Sequence, residues 1–416
     1  MELTETYNDA PEVAVLVGID MGTYDAEVSI DELEELARTA GAVVSARVIQ
    51  KRDKPDTATY IGSGRILEVK EYCENNDVDL LIFDCELSPS QQRNIENETN
   101  IRVIDRTMLI LDIFAARARS GEGKIQVELA QLKYSLPRLG GKGKELSRLG
   151  GGIGTRGPGE TKLESDRRHI RRRIQSLEED LAEIAKRREQ LRHRRDKDGV
   201  ETIAIIGYTN AGKSTLMNAL TQAGVLAENK LFATLDPTSR ALTLPDGREV
   251  MLIDTVGLIR RLPHHLVEAF KSTLEEAANA TAILNVCDAS DPHCGEHLQV
   301  TYDLLRSLGC QDKPIISVMN KCDKADNLYA LPNIGKFCMI SALTGEGLPQ
   351  LLATIQISLP PTRRKVEFLF PYDKGGLANK VREDGVILAE DYRPDGIYIK
   401  AVSDIIFIEK NKQYLI

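Results

Sequence analysis

The residues from Gly207 to Thr215 carry the strongest chemical signal in the chain. Gly207, Tyr208, Thr209, Asn210, Ala211, Gly212, Lys213, Ser214 and Thr215 match the GxxxxGK[ST] pattern of a phosphate-binding loop. The apolar run Thr202–Ile206 before it reads as a buried strand, and Leu216 and Leu220 after it read as the start of a helix. Glycines let successive backbone N–H groups turn toward phosphate oxygens, and a helix N-terminus adds its positive end. In such a loop Lys213 reaches the β- and γ-phosphates and the Ser214 hydroxyl is a ligand for Mg²⁺.

Further motifs follow in order. Asp254, Thr255, Val256 and Gly257 form a DxxG behind the strand Val250–Ile253. Asp254 is expected to hold Mg²⁺ through water and the Gly257 N–H to meet the γ-phosphate, so Lys213, Asp254 and Gly257 are the expected catalytic set. Phe232, Ala233, Thr234, Leu235 and Asp236 occupy the place of a first switch. Thr234 is the expected second hydroxyl on Mg²⁺, with Thr238 as the alternative. Asn320, Lys321, Cys322 and Asp323 make an NKxD at the end of the strand Ile315–Met319. Asp323 can accept from guanine N1–H and its exocyclic amine, Asn320 can reach O6 and N7, and the Lys321 stem can lie across the ring. Adenine would leave that carboxylate unpaired, a mismatch worth ~10⁴-fold or more. Ser341, Ala342 and Leu343 follow another strand and offer backbone N–H groups to O6. Together these motifs imply GTP as the substrate and its hydrolysis as the reaction.

Leu258 follows the DxxG, where some GTPases carry the glutamine that orients the attacking water. An aliphatic side chain cannot do that, so either another group acts or turnover waits for a partner. Asn210 suggests one such group, since some GTPases with this residue in the loop bind K⁺ there. The other reading is that Asn210 only shapes the loop.

The elements that must position these residues are legible around them. Val13–Ile19, Val43–Ile49, Val78–Phe83 and Arg102–Ile104 read as strands, alternating with helices at Asp31–Thr39, Ile66–Asn76 and Ser88–Thr99. That alternation predicts a parallel sheet with crossover connections. One helix is expected over Thr107–Ser135. Leu136–Glu160 carries nine glycines and is expected to be an exposed loop. Ile170, Ile174, Leu177, Leu181, Ile184 and Leu191 form an apolar seam, interrupted at Arg188, on a long amphipathic helix. Its expected partner is the 107–135 helix, the alternative being a two-chain coiled coil. Asp196–Gly199 reads as a linker. Pro245-Asp246-Gly247 is the turn of a hairpin between Arg240–Leu244 and Glu249–Ile253. Pro360-Pro361 breaks the chain, and Val366–Phe370, Val386–Ala389 and Ile397–Ala401 are expected strands beyond it. The fold class is α/β: a P-loop GTPase domain with an N-terminal α/β plus helical-hairpin region and a small C-terminal α+β domain. The expected boundaries are 1–106, 107–198, 199–360 and 361–416.

Composition narrows the partners. The 416 residues are 42% hydrophobic and 28% charged, as in globular proteins. No run approaches the ~18 apolar residues of a membrane span, and Met1–Ala10 carries no targeting pattern, which predicts a cytoplasmic protein. Seven cysteines without a CxxC pair read as reduced thiols. A net charge of −9 argues against whole-surface attraction to nucleic acid. Yet Lys133–Arg173 holds twelve Lys/Arg against four Asp/Glu, an excess of +8. Glycine-rich, Arg- and Lys-studded and without aromatic interleaving along its glycine-rich strip, it suits the irregular phosphate surface of folded RNA better than base stacking on single strands.

The sequence resembles the HflX family of translation-associated GTPases over nearly its whole length. The resemblance is sharpest at Leu136-Pro-Arg-Leu139, in the Ser147–Glu164 stretch SRLGGGIGTRGPGETKLE, at Asp166-Arg-Arg168 and in the FATLDPT of Phe232–Thr238. It favours Thr234 over Thr238 as the Mg²⁺ ligand. It implies a monomeric GTPase that binds the large ribosomal subunit and its ribosomal RNA and splits stalled or idle ribosomes under stress. DNA is not an expected partner, and any membrane association would be peripheral. The alternative is an RNA-binding assembly factor or RNA chaperone timed by GTP hydrolysis.

Overall fold

The computed structural model describes residues 11–139, 158–197, 200–221, 232, 238–261, 276–325, 335–361 and 363–416. Elements are numbered among these residues. The chain divides into two compact units, Met1–Leu352 and Ala353–Ile416.

The first unit opens with a four-stranded parallel sheet. Its strands are β1 (Val13–Asp20), β2 (Val43–Lys51), β3 (Leu80–Phe83) and β4 (Arg102–Asp105), in the order β2-β1-β3-β4. Successive strand residues face opposite sides. Ala14 and Leu16 pack on α1 (Ala26–Ala40) and α4 (Arg106–Arg117). Val15, Val17 and Ile19 pack instead toward α2 (Ser63–Asn75) and α3 (Pro89–Thr99). α1 begins five residues before the expected Asp31, because the Asp25 carboxylate caps it by accepting from the N–H groups of Glu27 and Val28. β3 begins at Leu80, so Val78 is buried but precedes the strand.

The helix expected over Thr107–Ser135 is two helices. α4 closes with Ala118 N–H on Phe114 O, and α5 (Gly121–Ser135) starts afresh where Ser120 Oγ accepts from Gly123 N–H. Apolar periodicity runs across such a break without registering it. Of the glycine-rich stretch, Leu136–Arg138 is a single ordered 3₁₀ turn and Pro158 already begins α6 (Pro158–Lys197). Arg138 donates to the carbonyls of Tyr134 and Leu87. Residues 140–157, which hold Arg148 and Arg156, lie outside the described residues. α6 extends through the start of the expected linker, to Lys197. Its seam is used within the chain. Leu177 is buried, Ile170, Ile174, Leu181 and Ile184 are half-buried, and Lys133–Glu178 and Glu122–Arg188 pairs tie α6 to α5. Arg188, which interrupts the apolar series, is one of these tethers.

The six-stranded sheet follows in the same unit. It comprises β5 (Thr202–Gly207), β6 (Thr238–Thr243), β7 (Glu249–Asp254), β8 (Ala282–Asp288), β9 (Ile315–Asn320) and β10 (Lys336–Met339), ordered β10-β9-β8-β5-β7-β6. All pairs are parallel except the β6–β7 hairpin, turned at Gly247 with φ +83°. α7 (Lys213–Thr221) and α8 (Cys294–Ser307) accompany it, and α9 (Leu348–Ser358) spans the boundary between the two units. No helix among the described residues is long and apolar enough to cross a membrane, and the seven cysteines are free thiols.

In the second unit β11 (Arg363–Phe370), β12 (Val386–Arg393) and β13 (Gly396–Asp404) form an antiparallel sheet ordered β11-β13-β12. α10 (Gly375–Asp384) and α11 (Ile405–Lys410) complete it. Phe368, Phe370, Ile399 and Ala401 form its core with Ala378 and Val381 of α10.

Candidate functional site

In a parallel sheet all strands end on one edge, and ligands bind there. The four motifs sit on that edge: the phosphate loop after β5, the DxxG after β7, the NKxD after β9 and the Ser341 loop after β10. β5 is central, flanked by β7 and β8, and Ile203–Ile206 are fully buried, so the loop leaves a rigid support.

Two glycines of that loop are fixed by close approach. A Cβ on Gly207 would lie 2.0 Å from the Val286 carbonyl oxygen, and one on Gly212 would lie 2.3 Å from Asn320 Nδ2. Both have positive φ, +153° and +89°. Asn210 sits in the left-handed region at φ +60°, exposed to solvent. Lys213 is buried, and its ammonium donates to the carbonyls of Gly207 (3.1 Å) and Tyr208 (2.8 Å). Loss of water around it pushes its pKa down to about 8, with Asp254 opposing the shift.

Asp254 is fully buried, and Ser214 Oγ donates to its Oδ2 at 2.9 Å. A hydroxyl and a carboxylate are hard oxygen donors of the kind Mg²⁺ takes, so the two residues fit the ion. A Cβ on Gly257 would meet Thr209 Cγ2 at 2.7 Å and Lys213 Nζ at 3.0 Å. The DxxG glycine therefore lies directly against the phosphate loop and its lysine. The segment is laced on by Thr209 N–H to Leu258 O (2.7 Å) and Leu258 N–H to Gly207 O (3.1 Å).

Some expected contacts have other partners. The Thr255 hydroxyl donates to Ile205 O at 2.7 Å, and Val256 is buried in the core. Their side chains are structural. The Tyr208 ring stacks on His297 at 3.8 Å, and its hydroxyl donates to Glu32 and accepts from the Arg260 N–H. Only the backbone of Tyr208 is left for phosphate. Of the first switch, Phe232 is described; Ala233, Thr234, Leu235 and Asp236 lie outside the described residues. The alternative Thr238 has its hydroxyl 3.6 Å from Met217 Sδ.

At the base end, Asn320 has taken another role. Its Nδ2 donates to Ala211 O (2.8 Å) and its Oδ1 accepts from Ala342 N–H (2.9 Å), so it joins three motifs. One N–H and one lone pair of the amide remain for a base. Ser341 N–H donates to Glu346 O at 3.0 Å. The expected reach of Ser341 and Ala342 to O6 is thus taken by protein groups, and the exposed Leu343 carries the remaining N–H of the three. Lys321 has φ +62° and its ammonium pairs with Asp288 at 2.7 Å. Asp323 is exposed at the start of its turn. The Cys322 thiol donates to Met319 O at 3.3 Å, and burial pushes its pKa up.

Sequence reasoning missed the groups that approach this site from the N-terminal sheet. Arg106, 2% exposed, donates to Asp84 (2.8 Å), to Glu32 and to the Arg260 carbonyl (3.2 Å). Arg261, next to Arg260, donates to Asp84 Oδ2 at 3.1 Å and lies over the Tyr24 ring. Phe232 meets Phe114 of α4 edge-on, centroids 4.6 Å apart. A signal existed: Arg106 opens an apolar helix where no solvent-facing charge is needed.

Three family models match in succession: "GTP-binding GTPase N-terminal" over residues 27–115, "GTP-binding GTPase Middle Region" over 117–195 and "50S ribosome-binding GTPase" over 202–321. The chain is 51% identical to the GTPase HflX of Lacrimispora saccharolytica, with 94% of this chain and 93% of that one covered. It is 42% identical to the GTPase HflX of Escherichia coli, with 93% and 92% covered. Among solved structures it is similar to a GTP-binding protein from Sulfolobus solfataricus in complex with GDP, at 29% identity and TM-score 0.44, covering 83% of this chain and 98% of that one. With its motifs on one sheet edge and two HflX GTPases matching more than nine-tenths of its length, the chain is a GTP-hydrolysing enzyme and belongs to the HflX family of GTPases.

Proposed function

We propose that this GTPase acts on the large ribosomal subunit in the cytoplasm, and that its GTP-bound form splits stalled or idle ribosomes into subunits. The carrying observation is the charge of residues 133–173, +8 within a chain of −9. Arg168, Arg171, Arg172 and Arg173 on α6 are exposed. Such a surface draws on phosphate contacts and counterion release. The matched family model described as a 50S ribosome-binding GTPase supports the same partner. A timed assembly factor would share the partner but would leave intact ribosomes whole.

In this reading Lys213 holds the β- and γ-phosphates, and the N–H of Gly257 reports the γ-phosphate to the segment that follows. Ser214 and Thr234 would hold Mg²⁺, with Asp254 behind them; the ion supplies charge neutralisation at the phosphates. Asp323, the remaining hydrogen-bonding capacity of Asn320 and the Leu343 N–H read guanine. Leu258 is 4% exposed within the core cluster that includes Tyr208, Phe232 and Ile259. It packs, and no side chain at that position directs water, so the site depends on a partner for full turnover. Asn210 would hold K⁺ at the loop. Faster turnover in KCl than in NaCl is the expected result, and equal rates would remove that part.

Sedimentation of intact ribosomes mixed with the protein tests the proposal. Free subunits are expected with GTP or a non-hydrolysable analogue, and their absence in both would overturn splitting.

A further inference from the structure

Lys321 is asked to lie as a flat apolar slab against a base, yet a free lysine side chain samples many rotamers. Something must hold its far end. Asp288, the last residue of β8, does so: its Oδ2 lies 2.7 Å from Lys321 Nζ, and both side chains are about four-fifths buried. The carboxylate itself cannot swing, because Oδ1 accepts from Ser290 N–H (2.9 Å) and Ser290 Oγ (2.6 Å). The backbones are locked in the same register. Asp288 is the partner of Asn320 across β8 and β9, and Ala289 N–H donates to Asn320 O at 2.7 Å. An exposed ion pair contributes little; this one is oriented at both ends before any ligand arrives.

We propose that Asp288 is a positioning residue for nucleotide binding, fixing the Lys321 stem where the purine face will lie. The inference rests on the guanine-site reading of Asn320–Asp323. Asp288 touches no atom of the nucleotide in this account and acts through Lys321 alone. Because the stem meets the ring face and not its edge, Asp288 contributes affinity without base selectivity. Preorganisation of this kind lowers the ordering cost of binding.

The test uses the full chain and dissociation constants for GDP, inosine diphosphate and xanthosine diphosphate. Asp288→Asn should weaken GDP and inosine diphosphate by the same factor, about tenfold, and Asp288→Glu should recover part of the loss. In GTP turnover the loss should fall on KM and not on kcat. In a Lys321→Met background, Asp288→Asn should add less than about twofold. Wild-type affinity in Asp288→Asn, or an undiminished loss in the Lys321→Met background, would overturn the proposal. The reading beneath it is tested separately: the wild type should prefer GDP to xanthosine diphosphate, and Asp323→Asn should reverse that order. Failure there removes the guanine site, whereas failure of Asp288→Asn alone removes only the role of Asp288.

Discussion

The phosphate end and the base end of this site are built on opposite plans. At the phosphate end the working groups are backbone or deeply buried: Lys213 donates to the Gly207 carbonyl, Gly257 lies against Lys213, and Asp254 accepts from Ser214. At the base end the groups are side chains braced by others: the buried Asn320 by Ala211 and Ala342, the largely buried Lys321 by Asp288, with Asp323 left exposed. The phosphate end is also where residues of the N-terminal α/β layer arrive, through Glu32 of α1 on Tyr208 and Asp84, just after β3, on Arg261. The lesson is one of tolerance. A close-packed end loses function with any change of volume, whereas a braced end loses it in graded steps.

Substitutions should sort by that difference. The largest effect is expected from Lys213→Ala, a fall in kcat/KM for GTP of about 10³-fold or more. The fold should stay intact, because burial disfavours the Lys213 ammonium, as its lowered pKa shows, and its hydrogen bonds are to loop carbonyls and not to a buried counter-charge; retention of activity would break the contrast. Next is Arg106→Ala, which strips a buried cation from Asp84 and Glu32 and should cost about 3–5 kcal/mol of stability in denaturant titration. A cost under about 1 kcal/mol would mean that the network is solvated. Asn320→Ala cuts two tethers at once and should weaken GTP and GDP alike, by about ten- to a hundredfold in equilibrium binding. Selective loss of one nucleotide would point to a role at the phosphates instead.

The smallest effect is one of pH. Lys213 titrates near 8 in the folded protein, below the ordinary lysine value of 10.5. The unfolded chain binds more protons between these values, so the burial cost of this charge fades, and stability from this group rises, as pH goes from 8 toward 10.5. Phosphate binding wants the charged form, so nucleotide affinity should be flat below pH 8 and fall by at most about tenfold per unit above it. A flat profile to pH 10 in calorimetric binding would place the ammonium in a more solvated setting.

Much of this was legible in the residues. The four motifs occur in an order that only a parallel sheet can bring to one edge, and the sheet alternation and the α6 seam carry their own periods. What was hidden has a common cause. The Tyr208–Glu32 bond spans 176 residues and the Arg261–Asp84 pair spans 177, and no local period marks such partners. Asn320 was legible as a base reader and not as a tether, because the motif names the residue and not its neighbours. The helix break at 118–120 turned on a single serine cap that apolar spacing does not register.

We propose that the site, with a buried Leu258 where a water-directing glutamine would stand, is completed by the large ribosomal subunit. Single-turnover GTP hydrolysis with and without purified large subunits tests it most directly. An acceleration on the order of 10²-fold or more is expected, reduced when Arg171 and Arg172 are replaced by alanine while the rate of the free protein holds. A rate that large subunits leave unchanged would contradict it.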